Sequence, residues 1–125
     1  MSDHRADQIV MTIHAGPEAP SEARRAVEDV LEGNGRLDDA LLVTSELVSN
    51  TVLHSGIDDG EPIRLVVSRR SGRIRIGMSH ARAGDRRSPR RARHGKGYGL
   101  SIVGQIVERW DVEHRGSTTE TWFEL

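Results

Sequence analysis

Alternating and helically spaced apolar residues divide the chain into segments that predict strands and helices in turn. A strand is predicted over Gln8 to His14, before a Gly16-Pro17 break. Two further strands, Ile63 to Ser68 and Arg73 to Ser79, are predicted to form a hairpin through Arg70-Ser71-Gly72. A last hairpin is predicted from Asp111 to Arg115 and from Thr118 to Leu125, turning at Gly116-Ser117.

Three helices are predicted between these strands. The first begins with Ser21 as its cap and ends at Gly33, and the second lies between a cap at Asp38 and a stop at Gly56. The second helix is predicted to bury one stripe: Leu41, Ser45, Val48 and Val52. The third is predicted from the stripe Leu100, Val103, Ile106, Val107 and Trp110. This order predicts an α/β two-layer sandwich, a mixed, mainly antiparallel sheet covered on one face by about three helices.

Length and composition narrow the class of protein. A chain of 125 residues predicts one domain spanning residues 1–125, large enough for a single core. The absence of cysteine excludes a disulfide scaffold, a thiol nucleophile and a thiolate zinc site. No apolar run approaches the length of a membrane span, and the polar start is unlike a secretory signal. We therefore expect a cytoplasmic protein without a membrane partner.

Positive charge is concentrated in one segment. Residues 69–96 hold 11 of the 18 basic residues and one acid, Asp85, whereas the rest of the chain has 7 basic and 18 acidic residues. Such a segment attracts a polyanion: a nucleotide triphosphate, nucleic acid or an acidic protein surface. No aromatic residue that could stack on bases lies among the arginines, which argues against nucleic acid.

The second predicted helix carries the most informative side chains. Glu46 and Asn50 are four residues apart, so they share a face with Cβ atoms about 6 Å apart, and His54 follows one turn later. A carboxylate there can take a proton from a hydroxyl, and an amide oxygen is a ligand suited to Mg²⁺. The spacing alone is equally typical of an ordinary polar helix face.

A glycine-rich string precedes the third predicted helix. From His80 to Lys96 no periodicity is present, and a loop of this length in a small domain is usually functional or disordered. The following string, Gly95-Lys96-Gly97-Tyr98-Gly99-Leu100, lets the backbone approach an anion at a helix start. It matches neither a Rossmann fingerprint nor a P-loop, and a hinge with a helix cap would explain it too.

Together these motifs resemble the GHKL ATPase fold, which gyrase, heat-shock chaperones and histidine kinases share. Within it, the chain is most similar to the short anti-sigma factor type of serine/threonine kinase. Glu46-Leu47-Val48-Ser49-Asn50 with His54 looks like the N-box of that family, and Gly97-Tyr98-Gly99-Leu100 looks like its second glycine box. The ending Trp122-Phe123-Glu124-Leu125 is also similar to typical members.

The resemblance implies ATP and Mg²⁺ as cofactors and assigns roles to individual residues. Glu46 would be the general base and Asn50 the Mg²⁺ ligand, while Thr119 would lie near the adenine. His54 matches a family position, but capping or packing explains it equally well. The segment at about 80–96 would be the ATP lid. The residues expected to wrap the triphosphate are Gly95, Lys96, Gly97, Tyr98, Gly99 and Leu100.

One position departs from the pattern of the family. His80 stands where an aspartate usually accepts a hydrogen bond from the adenine amino group, although the nearby Gly84 is retained. Losing a hydrogen bond to a charged group, worth about 1.5–3 kcal/mol, would weaken ATP binding roughly 10- to 150-fold. A neutral histidine can still accept one hydrogen bond, so the expected loss is partial.

Three functions remain open at this stage. The first is an ATP-dependent serine kinase and anti-sigma factor for transcription regulation, with a sigma factor and a STAS-type antagonist as partners. The second is a protein-binding module on the same fold with weak or no ATP binding, which His80 favours. The third is a basic nucleic-acid binder, which the scarcity of aromatic residues opposes. The resemblance also raises a homodimer, which the sequence does not test.

Overall fold

The computed structural model describes residues 7–54, 56–81 and 100–125. Its elements, in chain order, are β1 (Gln8–His14), α1 (Ala19–Leu31), α2 (Leu37–His54), β2 (Pro62–Arg70), β3 (Arg73–Ala81), α3 (Leu100–Ile106), β4 (Arg109–Arg115) and β5 (Thr118–Glu124). None of the helices in these ranges is both long and apolar enough to cross a membrane.

The five strands of the described ranges form one sheet in the order β1-β2-β3-β5-β4, and every neighbouring pair is antiparallel. Two pairs are hairpins with two-residue turns. Ser71 and Gly72 both have positive φ, +52° and +79°, as a type I′ turn requires. In the second hairpin Gly116 has a φ of +62°, which suits the first central position of a type II′ turn.

The helices cover one face of the sheet, and the core lies between the two layers. Alternate residues of β2 and β3 point into it and are fully or almost fully buried: Ile63, Leu65, Val67, Ile74, Ile76 and Met78. Phe123 of β5 joins them, and its ring stacks on Trp110 of β4 with centroids 5.7 Å apart. The expected sandwich with three helices is therefore confirmed, and its described sheet is antiparallel throughout.

The starts of the first two helices differ from the sequence prediction. Helix α1 begins at Ala19 with Glu18 at the N-cap and Pro20 in the first turn, so Ser21 lies inside the helix. Proline is tolerated there because its missing N–H would have no intrahelical partner. Helix α2 begins at Leu37, one residue before the predicted cap Asp38. The Asn34 side chain accepts a hydrogen bond from the Arg36 N–H just before it.

The buried side of α2 was also predicted wrongly in part. Leu41, Ser45 and Val52 are only half-buried, and Val48 alone of the predicted stripe is fully covered. The side chains that α2 does bury are Ala40, Val43, Thr44, Leu47, Val48 and Thr51. Thr44 tolerates this position because its hydroxyl donates to the Ala40 carbonyl at 2.7 Å.

Trp110 belongs to a strand and not to the third helix. Helix α3 ends at Ile106, and Trp110 is the second residue of β4, where it pairs with Phe123. Its spacing from Val103 and Ile106 imitates a helical stripe because both the helix and the covered face of the sheet contact the same core. The prediction failed because residue spacing reports burial and not which element provides it.

Candidate functional site

A row of paired residues crosses the covered face near one end of the sheet and changes from apolar to polar. In register order it comprises Ile13, Ile63, His80, Thr119 and His114. The two isoleucines are fully buried, His80 is 8% exposed, and Thr119 and His114 are progressively more open. The polar half of this row lies where β3 ends and β5 begins.

His80 is held neutral by its surroundings. Its Nδ1 lies 2.9 Å from the Ala81 carbonyl, which can only accept, so Nδ1 carries the proton and donates. Burial lowers the pKa of His80 from its ordinary value of 6.5; the Ala81 hydrogen bond opposes this, and the charge of His114 adds to it. Above that pKa the Nε2 atom therefore carries a lone pair that can accept a hydrogen bond.

Thr119 lies within β5 and is shared between the two histidines. It was predicted to precede the last strand, yet it is the second residue of β5 and pairs with His80 on one side and His114 on the other. The Nδ1 of His114 is 3.0 Å from the Thr119 hydroxyl. Sequence reasoning missed His114, although the Gly116-Ser117 turn fixes this pairing by counting back two residues on each arm.

Glu46 and Asn50 lie at the border of the buried side of α2. Both are half-buried, while Leu47 and Val48 between them are covered by the core. The four-residue spacing places them one above the other on one helix face, as predicted. Neither side chain is turned into the hydrophobic interior, the outcome that would have removed them from any site.

The directions of α2 and α3 bring their functional ends to the same edge of the sheet as His80. Arg36, just before α2, donates to the carbonyl of Ile106 at the end of α3, at 3.5 Å. The two helices pack against each other, so α3 begins beside the part of α2 that carries Glu46 and Asn50. The end of α3 leads directly into β4 at Arg109, which lies at the opposite end of the sheet from His114.

Much of the predicted phosphate-binding segment lies outside the described residues. This holds for Gly84 and for Gly95, Lys96, Gly97, Tyr98 and Gly99, with most of the expected lid. Leu100 is the first residue of α3, and His54 is the last of α2. The structure thus brings together the ends of α2 and β3 and the starts of α3 and β5, which flank that segment.

The chemistry available at this edge is that of a base and a hard oxygen ligand. The Glu46 carboxylate can accept a proton, and the Asn50 amide oxygen can contribute to an octahedral Mg²⁺ site. Within the described ranges no cluster of three or more histidine, cysteine, aspartate or glutamate side chains could hold a metal by itself. That fits Mg²⁺, which is usually bound through few protein oxygens together with substrate phosphates and water.

Comparison with known proteins identifies the fold. No protein-family model matches the sequence, and no curated protein matches it significantly. The structure is similar to the crystal structure of the RsbU and RsbW domains of Rv1364c from Mycobacterium tuberculosis, with a TM-score of 0.70 and 17% sequence identity. The match covers 95% of this chain and 32% of that one, so this chain spans about a third of its length. The likeness confirms the expected GHKL fold.

Proposed function

We propose that this chain is an ATP-binding regulatory protein of the anti-sigma factor serine kinase type. It binds Mg²⁺-ATP at the edge where α2, α3, β3 and β5 meet, phosphorylates a serine of a STAS-type antagonist, and sequesters a sigma factor. The RsbW-type fold and the soluble character of its described helices support this class of protein. The activity and the partners are the parts that experiment must test.

The observation that carries the proposal is the position of Glu46 and Asn50. They lie one turn apart on α2, half-buried, on the helix that packs against α3. A purely structural polar face would be more exposed, as at Glu28 and Asp29 of α1. Half-burial suits a base and a metal ligand because lower solvent exposure strengthens their electrostatic interactions with a bound substrate.

In the proposed mechanism each described residue has one task. The Glu46 carboxylate accepts the proton of the attacking serine hydroxyl, which makes the oxygen a better nucleophile. Asn50 supplies an amide oxygen to the metal. Mg²⁺-ATP, when bound, supplies the transferable phosphoryl group and neutralises part of its charge. Lys96 and the arginines of residues 82–93 provide further positive charge from the chain itself.

His80 would recognise the base of the nucleotide. With its proton on Nδ1 and directed to Ala81, the ring offers Nε2 as an acceptor for an amino group such as that of adenine. A neutral acceptor makes a weaker hydrogen bond than the aspartate of the resembling family. We therefore expect ATP binding to be retained but weakened.

The same histidine favours a second candidate function, a protein-binding module that no longer depends on nucleotide. His80 is buried and satisfied by its own neighbour, Ala81, so the fold does not need a ligand to complete its hydrogen bonding. In that case the half-buried Glu46 and Asn50 would contribute only to the shape and polarity of a protein contact.

Titration with a fluorescent ATP analogue, with and without Mg²⁺, separates the two functions. We expect saturable, Mg²⁺-dependent binding that Asn50→Ala weakens at least about tenfold, since the substitution removes a metal ligand. Gln105→Ala is the matched control, because Gln105 is an exposed amide on α3. No binding at millimolar nucleotide would leave the protein-binding module as the function.

A further inference from the structure

The open face of the sheet, on the side away from the helices, carries an ordered pattern of side chains that the candidate site does not use. Its middle row is apolar and consists of Val10, Val66, Gly77 and Trp122. Val10 is 45% exposed although it is a large apolar residue. The next row consists of Thr12, Arg64, Ser79 and Glu120.

A shallow depression lies across these two rows at the centre of the sheet. Its volume is about 110 Å³, and Arg64, Val66, Gly77, Ser79, Glu120 and Trp122 line it. Gly77 is the reason for it, because β3 has no side chain there between Val66 and Trp122. A Cβ at Gly77 would touch the Trp122 Cβ only at 3.7 Å, an ordinary contact, so packing within the chain does not require glycine.

Two opposite charges beside the depression have no partner among the residues that the structure describes. Arg64 on β2 and Glu120 on β5 make no ion pair or hydrogen bond there. They pair with Ser79 from either side, so their Cα atoms are about 10 Å apart, two strand spacings. That is too far for the short Glu120 side chain and Arg64 to pair well across Ser79.

We propose that this face is the interface of a two-fold dimer with a second copy of the same chain. A two-fold axis along β3 exchanges the positions of β2 and β5. Arg64 of each copy then faces Glu120 of the other, Trp122 faces Val66, and the two Gly77 positions meet on the axis. The pattern is therefore complementary to itself, which an isologous interface requires.

The geometry of sheet packing supports this arrangement. Two sheets stacked face to face keep their strands within about 30° of each other, so contacts one strand away from the axis are preserved. Arg75, which lies in the row beyond Trp122, does not block it. Its guanidinium stacks on the Trp122 ring, 4.1 Å from the centroid, and bonds Glu124, so it lies towards β5 and away from the axis.

The size of the face predicts a moderate affinity. Five strands of about seven residues give roughly 550 Å² per copy from the usual strand spacing and rise. The total of about 1,100 Å² only just exceeds the roughly 1,000 Å² expected of a specific interface. We therefore expect dimers in the micromolar range of concentration. The interface lies on the far side of the sheet from the candidate nucleotide site, so the two proposals succeed or fail independently.

Sedimentation velocity on the full chain without nucleotide, over a range of micromolar concentrations, tests this interface. The wild type should show reversible dimers, and Arg64→Glu or Glu120→Arg alone should each weaken them at least about tenfold, because each creates two like-charge contacts. Arg24→Glu, on the exposed side of α1, is the matched control and should dimerise like the wild type.

Mixing the two variants gives the decisive result. In a mixed pair the introduced acid faces the introduced base, and the retained Glu120 faces the retained Arg64, so dimers should return. The double variant R64E/E120R should dimerise as well, and circular dichroism confirms that each variant is folded. A wild type that stays monomeric, single variants that dimerise normally, or a mixture that stays monomeric would each overturn the proposal, whether or not another protein binds this face.

Discussion

His80 and Thr119 face each other directly across β3 and β5, on the side of the sheet that the helices cover. The resemblance to the GHKL family assigns both positions to the adenine end of a nucleotide site, although they are far apart in the sequence. Their pairing is the point at which the sequence interpretation and the geometry of the sheet coincide. It also makes the identity of residue 80 the most direct means of adjusting a ligand at this edge.

His80→Asp should strengthen ATP binding. A carboxylate acceptor makes a charge-assisted hydrogen bond worth about 1 kcal/mol more than a neutral one, which corresponds to roughly a fivefold lower dissociation constant. Titration with the fluorescent analogue measures this, and His114→Asp, one strand spacing beyond Thr119, is the control. Weaker binding by a variant whose melting temperature is unchanged would argue that residue 80 does not contact the base.

The stability of the protein should fall as the pH is lowered through the range in which histidine titrates. The pKa of His80 is lower in the folded state than its ordinary value of 6.5, mainly through burial. The unfolded state therefore takes up the proton first, and stability that is fully present above about pH 6.5 is lost below it.

Urea unfolding at a series of pH values between neutrality and mild acid measures this loss. His80→Gln should flatten the pH dependence in that range, since it removes the titrating group. His114→Gln should flatten it much less, because His114 is exposed. An equal slope in the wild type and in His80→Gln would assign the effect to another group.

Glu46→Gln should abolish phosphate transfer while ATP binding persists. Glutamine keeps the size of the side chain but cannot accept the serine proton, and loss of a general base typically costs about 10²- to 10⁴-fold in rate. Transfer of labelled phosphate from ATP to a STAS-domain protein of the source organism is the measurement. Glu28→Gln, on the exposed side of α1, is the control. Transfer by Glu46→Gln at the wild-type rate would show that Glu46 is not the base.

Glu124→Gln should lower the free energy of unfolding by about 1–2 kcal/mol, the range for hydrogen bonds to a charged group. Glu124 is 8% exposed and accepts hydrogen bonds from Arg109 and from Arg75, the latter at 2.9 Å. The hydrogen bond from Arg109, followed by that from Arg75, lowers the pKa of Glu124 below its ordinary value of 4.5 in spite of burial.

The pH dependence of this contribution has the same sign but a more acidic range. Stability from Glu124 is present above pH 4.5 and is lost as the pH falls through the lowered pKa. Chemical denaturation at neutral pH and in acid checks both parts. Glu113→Gln removes only an exposed pair with Arg115 and should change stability by less than about 0.5 kcal/mol.

Most of the strands could be predicted because their signals are local. Period-two alternation in β2 and β3, with a two-residue turn between them, fixes both the pairing and the buried face of each residue. The helices were located correctly, but their starts were not. Proline in the first turn of α1 and the Asn34 side chain before α2 provide starts that compete with the predicted caps Ser21 and Asp38.

The candidate site could be predicted only in its local part. The spacing of Glu46 and Asn50 is a property of one helix, and their half-buried position agrees with it. The proximity of His80, Thr119 and His114 depends on the pairing of β3 with β5, which no short-range pattern encodes. The network of Glu124 with Arg75 and Arg109 was missed for the same reason, since its three residues come from three strands.

The strand order has a further consequence for how the molecule opens. β2 with β3 and β4 with β5 are each joined by a two-residue turn, but the seam between β3 and β5 has no such link. Separation along this seam would leave both hairpins intact while parting His80 from Thr119. A small molecule bridging those two residues would therefore act as a clasp on the sheet, and amide hydrogen exchange along the seam would slow when it binds.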